Sequence, residues 1–124
     1  MRVQIEYLDQ NEAFAPYLPR TGTLRRELRS TNGVGPWFLV DLDDPLEYQL
    51  KIGEPFRFRL ARVNALLIRS RWEGKGIEDP DGTSVFILLV EESQHPSADV
   101  VDTNDYVHIA WGMCRLLNDT SQSI

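Results

Sequence analysis

The chain has 124 residues, a formal net charge of −6 and one cysteine, Cys114. That length suits one domain spanning 1–124 and is too short for two. A core of this size stands without a metal or a disulfide, and a lone cysteine excludes an intramolecular bridge. The acidic balance argues against broad binding to nucleic acid or anionic membranes, and the longest apolar run, Val85 to Val90, is far short of the ~20 residues a spanning helix needs. The opening MRVQIEYLDQNEAF lacks the basic-then-apolar pattern of a secretory leader, so the expected setting is the cytoplasm, which a single thiol also fits.

Val3, Ile5 and Tyr7 alternate with Gln4 and Glu6, the pattern of a half-buried strand. Pro16 and Pro19 mark a loop after it. Thr23 to Arg29 reads as strand more than helix, because the turn signal STNGVGP follows and leads into another strand, Trp37 to Leu42. Asp43-Asp44-Pro45 is expected to close that strand. Leu46 to Ile52 then alternates cleanly before Gly53-Glu54-Pro55 turns the chain.

The stretch from Phe56 to Glu92 carries the longest apolar runs and five of the eleven arginines. Phe56, Phe58 and Leu60, expected inward, alternate with Arg57 and Arg59, expected outward, until Arg62 falls where an apolar residue belongs. A three-residue loop at Val63-Asn64-Ala65 restores the pattern and predicts a hairpin, with Val85 to Val90 as a third antiparallel strand, apolar on both faces. A bent continuous strand with a bulge near Arg62 is the competing reading. Ser93 to Asn104 is a polar connection with room for a helical turn, Tyr106 to Leu116 a last strand, and residues 117–124 a frayed tail. Together these elements predict an all-β fold of six to eight strands, a small antiparallel β-barrel, with a two-sheet β-sandwich as the alternative.

In the hairpin register Arg59 lies opposite Arg69 and Arg57 opposite Arg71, with Trp72 opposite Phe56. Four guanidinium groups then share one face, like against like, and such pairs destabilise a sheet unless something neutralises them. The chain's own acids, Asp41, Asp43, Asp44 and Glu47 or Glu91 and Glu92, are one candidate. The other is an acidic partner protein or a small anion, for which the planar fork of arginine is suited; arginine outnumbers lysine eleven to two. Arg57, Arg59, Arg69, Arg71 and Trp72 are therefore the expected binding residues. Trp72 and Trp37 could add stacking surface for a single nucleic-acid strand, against the net charge.

No catalytic residue and no cofactor is assigned. Asp79-Pro80-Asp81-Gly82-Thr83 resembles the start of a calcium loop and a phosphatase nucleophile motif, yet lacks the glutamate of the first and the buried parallel strand of the second; it reads as a turn. Asp41-Leu42-Asp43-Asp44 lacks the glycine and later glutamate of a metal loop. His108 and Cys114 are six residues apart on one strand, about 20 Å at ~3.3 Å per residue, too far to form a nucleophile–base pair. Cys114 is expected to be a plain buried residue. An enzyme whose barrel mouth gathers carboxylates from 41–47 and 78–81, and self-association through an open sheet edge, complete the alternatives.

Overall fold

Runs of β-branched and aromatic residues, cut by proline, glycine and aspartate, give a chain that is all β. The computed structural model describes residues 1–9, 17–52, 55, 57–72, 74, 76–77 and 82–117. Its strands are β1 (Arg2–Asp9), β2 (Arg20–Ser30), β3 (Trp37–Ile52), β4 (Arg57–Ser70), β5 (Thr83–Glu91), β6 (Val100–Val101) and β7 (Val107–Leu116). Hydrogen-bonded neighbours follow the order β1-β7-β5-β4-β3-β2, and β1 pairs back onto β2. All these pairs are antiparallel, so six strands close a barrel, while β6 runs parallel to the last two residues of β2. The barrel forms and the sandwich does not. No helix among the described residues is long and apolar enough to cross a membrane.

The interior is filled by side chains such as Val3, Ile5, Val40, Leu66, Ile68, Val85 and Ile87, all without exposure. A second cluster, Leu28, Trp37, Leu39, Leu67, Leu88 and Val90, occupies the opposite face of the same wall and is joined by Val101. It is covered by the connection 92–106, which contains one-turn 3-10 helices at Glu92–Gln94 and Thr103–Asp105. That cover is tied down by polar contacts. Arg26 donates to Asp99 at 3.1 Å and to the Pro96 carbonyl, and the amides of Arg29 and Thr31 donate to the carbonyls of Asp99 and Val101. The Tyr106 hydroxyl donates to the Gln94 carbonyl at 3.2 Å. Val85 to Val90 is apolar on both faces because one face lines the barrel and the other lies under this segment.

Three expectations fail, for one reason. The span 56–92 contributes two strands, not three: β4 is continuous, with no loop at Val63-Asn64-Ala65. Opposite β5, Val63 pairs with Glu91 and Ala65 with Val90, so Asn64 is a bulge residue. Opposite β3, Ala65 pairs with Asp41 and Val63 with Leu46, so residues 42–45 answer Asn64 alone. Asp43-Asp44-Pro45 is thus a wide bulge inside one 16-residue strand, where the missing proline N–H costs no ladder bond. Arg62 shares its face with Phe58 and Leu60, which are 65% and 57% exposed, so the apolar side chains expected inward on this stretch point outward and the alternation does not break at Arg62. Ala61 and Val63 face the barrel interior, whereas beyond Asn64 it is Leu66 and Ile68 that do. A similar shift at Arg25 sends Leu24 inward and Leu28 to the outer cluster.

Past the bulge, residues 46–52 of β3 and 57–62 of β4 pair only with each other among the described residues, as a two-stranded ribbon. The loop through Pro16, the turns at 53–54 and 78–81, Phe56, the His108 side chain and residues 118–124 lie outside the described residues.

Candidate functional site

The same bulge separates the four arginines. Arg57 and Arg59 share the parity of Ala61 and Val63 and sit on the ribbon, whereas Arg69 shares the outward parity of Ala65 and Leu67. Arg59 and Arg69 are therefore on opposite faces, separated by roughly 30 Å of strand. The expected arginine-against-arginine face does not exist.

The two pairs meet different fates. Arg59 donates both terminal nitrogens to the Glu91 carboxylate, at 2.6 and 2.8 Å, and Arg62 donates to Glu92 at 2.9 Å. The Arg59 guanidinium holds the Glu91 carboxyl below its ordinary range. Glu91 and Glu92 thus supply the internal neutralisation weighed from the sequence, for Arg59 and Arg62 only. Asp41 and Asp43 serve other cations. Asp43 accepts from Arg2 and Thr21, which hold its carboxyl far below the usual carboxylate range. Asp41 accepts from Arg25 at 3.0 Å and lies 2.9 Å from His95 Nε2.

Arg69 and Arg71 pack on rings instead. Phe38 pairs with Ile68, which puts Trp37 beside Arg69; Arg69 pairs with Phe86 on β5, and Phe86 with Trp111 on β7. A row Trp37–Arg69–Phe86–Trp111 therefore crosses four strands on the outside of the barrel. The Arg69 guanidinium carbon is 5.5 Å from the Trp37 ring centroid and 5.2 Å from that of Phe86. Phe86 and Trp111 meet edge to face, with centroids 3.9 Å apart. Arg71 lies over Trp111 at 5.7 Å and Trp72 at 5.4 Å. Each such cation–π contact contributes about 0.5–1 kcal/mol when exposed and about 2 when desolvated. Trp72, one of the expected binding residues, is 65% exposed at the rim of this face.

Between the row and the 92–106 cover lies a cleft of about 290 Å³, walled by Trp37, Arg69, Phe86, Leu88, Asn104 and Tyr106. Among the described residues four buried side-chain polar atoms lack a partner. Three of them, Trp37 Nε1, Arg69 Nε and Ser84 Oγ, belong to this face. A buried donor left unpaired costs about 1–3 kcal/mol, and a protein interior seldom concentrates such atoms without cause.

The sequence reading named Arg69, Arg71 and Trp72 but missed Phe86, Trp111 and Tyr106 and took Trp37 only as an extra stacking surface. A usable signal existed in the both-faced apolar run Val85 to Val90: an outward Phe86 needs a cover or a ligand. Cys114 is buried, and burial pushes its thiol up to about 12. No family model, no curated protein and no solved structure matches the chain.

Proposed function

We propose that the protein is a binding module whose Arg69–Arg71 face, with Trp72 at its edge, takes an acidic group from a partner protein or a small anion. The observation that carries this reading is how the arginines are partnered. Arg2, Arg25, Arg26, Arg59, Arg62 and Arg115 each reach a carboxylate. Arg20, Arg29, Arg57, Arg69 and Arg71 reach none among the described residues, and of these five Arg69 and Arg71 are the ones that lie over rings. A guanidinium stacked on aromatic faces keeps its charge and presents a fixed N–H edge, a pre-organised fork for a carboxylate or a small oxyanion. The reading of an enzyme with carboxylates at the barrel mouth draws less support, because Asp41 and Asp43 are engaged and the interior is packed with apolar side chains.

The test is fluorescence anisotropy of labelled hexaglutamate against the parent and single-site variants. Arg69→Ser and Arg71→Ser should each weaken binding by roughly tenfold, the size expected for one charge-assisted contact, and Arg57→Ser should not. Equal weakening by Arg57→Ser, or no binding at low ionic strength, overturns the proposal. Trp72, exposed beside Arg71, favours a second reading as a stacking platform for single-stranded nucleic acid. Labelled oligothymidine in the same assay tests it: affinity falling steeply with salt and lost in Trp72→Ala supports that reading over the first.

A further inference from the structure

We infer that the cleft beside Arg69 is a small-molecule site for a monocarboxylate with a flat apolar body, a benzoate-like acid. This rests on the reading of Arg69 as an anion-binding arginine and narrows it from a face to a cavity. The volume of about 290 Å³ falls just below the about 300–1,000 Å³ range of ligand pockets and suits one ring-sized group.

The walls specify the two halves of the ligand. Phe86, Leu88 and Tyr106 offer apolar surface, while Trp37 and Arg69 each bring a buried donor that has no acceptor. Trp37 is only 5% exposed, so its indole N–H cannot be satisfied by bulk water. Stacking on Trp37 and Phe86 occupies the flat faces of the Arg69 guanidinium, and Nη1 donates to the Ser70 carbonyl at 3.4 Å, which leaves the Nε–Nη2 edge to bind a carboxylate in bidentate fashion.

Charge selects a monoanion. Arg69 is the one cation lining the cleft among the described residues. The opposite wall, Thr103 and Asn104, is flanked by Asp102 and Asp105. Burial and then the Asp105 carboxylate push the Tyr106 hydroxyl above its ordinary value, so a negative field already reaches that wall. A dianion such as phosphate would meet one cation and this field, whereas a carboxylate is matched by one guanidinium. The wall is held in place by Tyr106 on Gln94 and by the Gln94 amide on the Asp105 carbonyl at 3.0 Å, so the site is largely formed before a ligand arrives.

The test follows the indole N–H resonances of Trp37, Trp72 and Trp111 by ¹H–¹⁵N NMR during titration with benzoate, its neutral isostere benzamide, and inorganic phosphate. Benzoate should move the Trp37 resonance downfield and saturably, with benzamide and phosphate weaker by roughly tenfold or more. Arg69→Gln should abolish the shift. Asn104→Phe, at an exposed position that leaves the core intact, should abolish it by filling the cleft, and Arg71→Ser should retain it. No saturable Trp37 shift, an equal response to benzamide, or a response surviving Asn104→Phe overturns the inference. Hexaglutamate binding without a benzoate response overturns the cleft and leaves the face proposal standing. A benzoate response without hexaglutamate binding supports the cleft and removes the acidic-protein reading.

Discussion

Arg59 and Arg69 belong to one strand and face opposite sides of it, because the bulge at Asn64 reverses the parity between them. Arg59 is neutralised by Glu91 at 2.6 Å; Arg69 is held against Trp37 and Phe86 and meets no carboxylate among the described residues. Two residues of the same type on the same strand thus serve different ends.

The Arg59–Glu91 pair should reveal itself in acid. Glu91 has its pKa lowered on folding, so its contribution is present above the unfolded carboxylate range near ~4.3 and is lost as pH falls through the folded value. Arg59→Gln should therefore lower the urea midpoint slightly at pH 7. The gap from the parent should close as pH drops below the carboxylate range. A gap unchanged at pH 3 would mean that the substitution acts through something other than this ion pair.

The outer cluster should count as core. Leu67 and Leu66 are adjacent, both fully buried, and face opposite sides of the wall. Leu67→Ala should cost about 2–5 kcal/mol, comparable with Leu66→Ala. Chemical denaturation of the two variants checks this; a near-neutral Leu67→Ala would mean that the 92–106 cover closes over the gap.

Gly112 sits where β1, β5 and β7 approach closely. An added Cβ would lie 2.5 Å from Ile87 Cδ1 and 3.0 Å from the Glu6 carbonyl oxygen. Gly112→Ala should destabilise by about 1–3 kcal/mol through overpacking. Pairing it with Ile87→Val should recover part of the loss, which thermal unfolding of the double variant would show.

Cys114 should be silent in the native state. Its thiol is buried and held protonated up to about 12, whereas an unfolded thiol ionises near ~8.5. The raised value contributes stability that is fully present below the unfolded pKa and is lost as pH rises toward the folded one. Thiol labelling with an aromatic disulfide should be slow at pH 7.5 and should track global unfolding as urea is added. Fast labelling of the folded protein would refute the burial.

Much of the architecture was legible from residue patterns, and its failures share a source. The both-faced apolar run Val85 to Val90, the strand at Thr23 to Arg29 and the polar connection with its helical turns appear where alternation and turn chemistry put them. Asp43-Asp44-Pro45 carries the chemistry of a strand end, yet barrel curvature uses it as a bulge that only the partner strand reveals. Arg62 merely continues the outward face of Phe58 and Leu60, two apolar side chains that alternation alone places in the core. Arg69, Arg71 and Trp72 were legible as unusual residues; Trp37, Phe86, Trp111 and Tyr106 join them from other segments through strand order, which sequence spacing does not encode.

The segment 92–106 lies over Leu39, Leu67, Leu88 and Val90. An excursion that lifts it bares a greasy wall while the barrel behind stays hydrogen-bonded. A form opened there would be adhesive rather than merely loose, and any association it led to would start from a nearly native species. Arg26, which clips Asp99 and the Pro96 carbonyl, is the side chain that holds this cover against the wall.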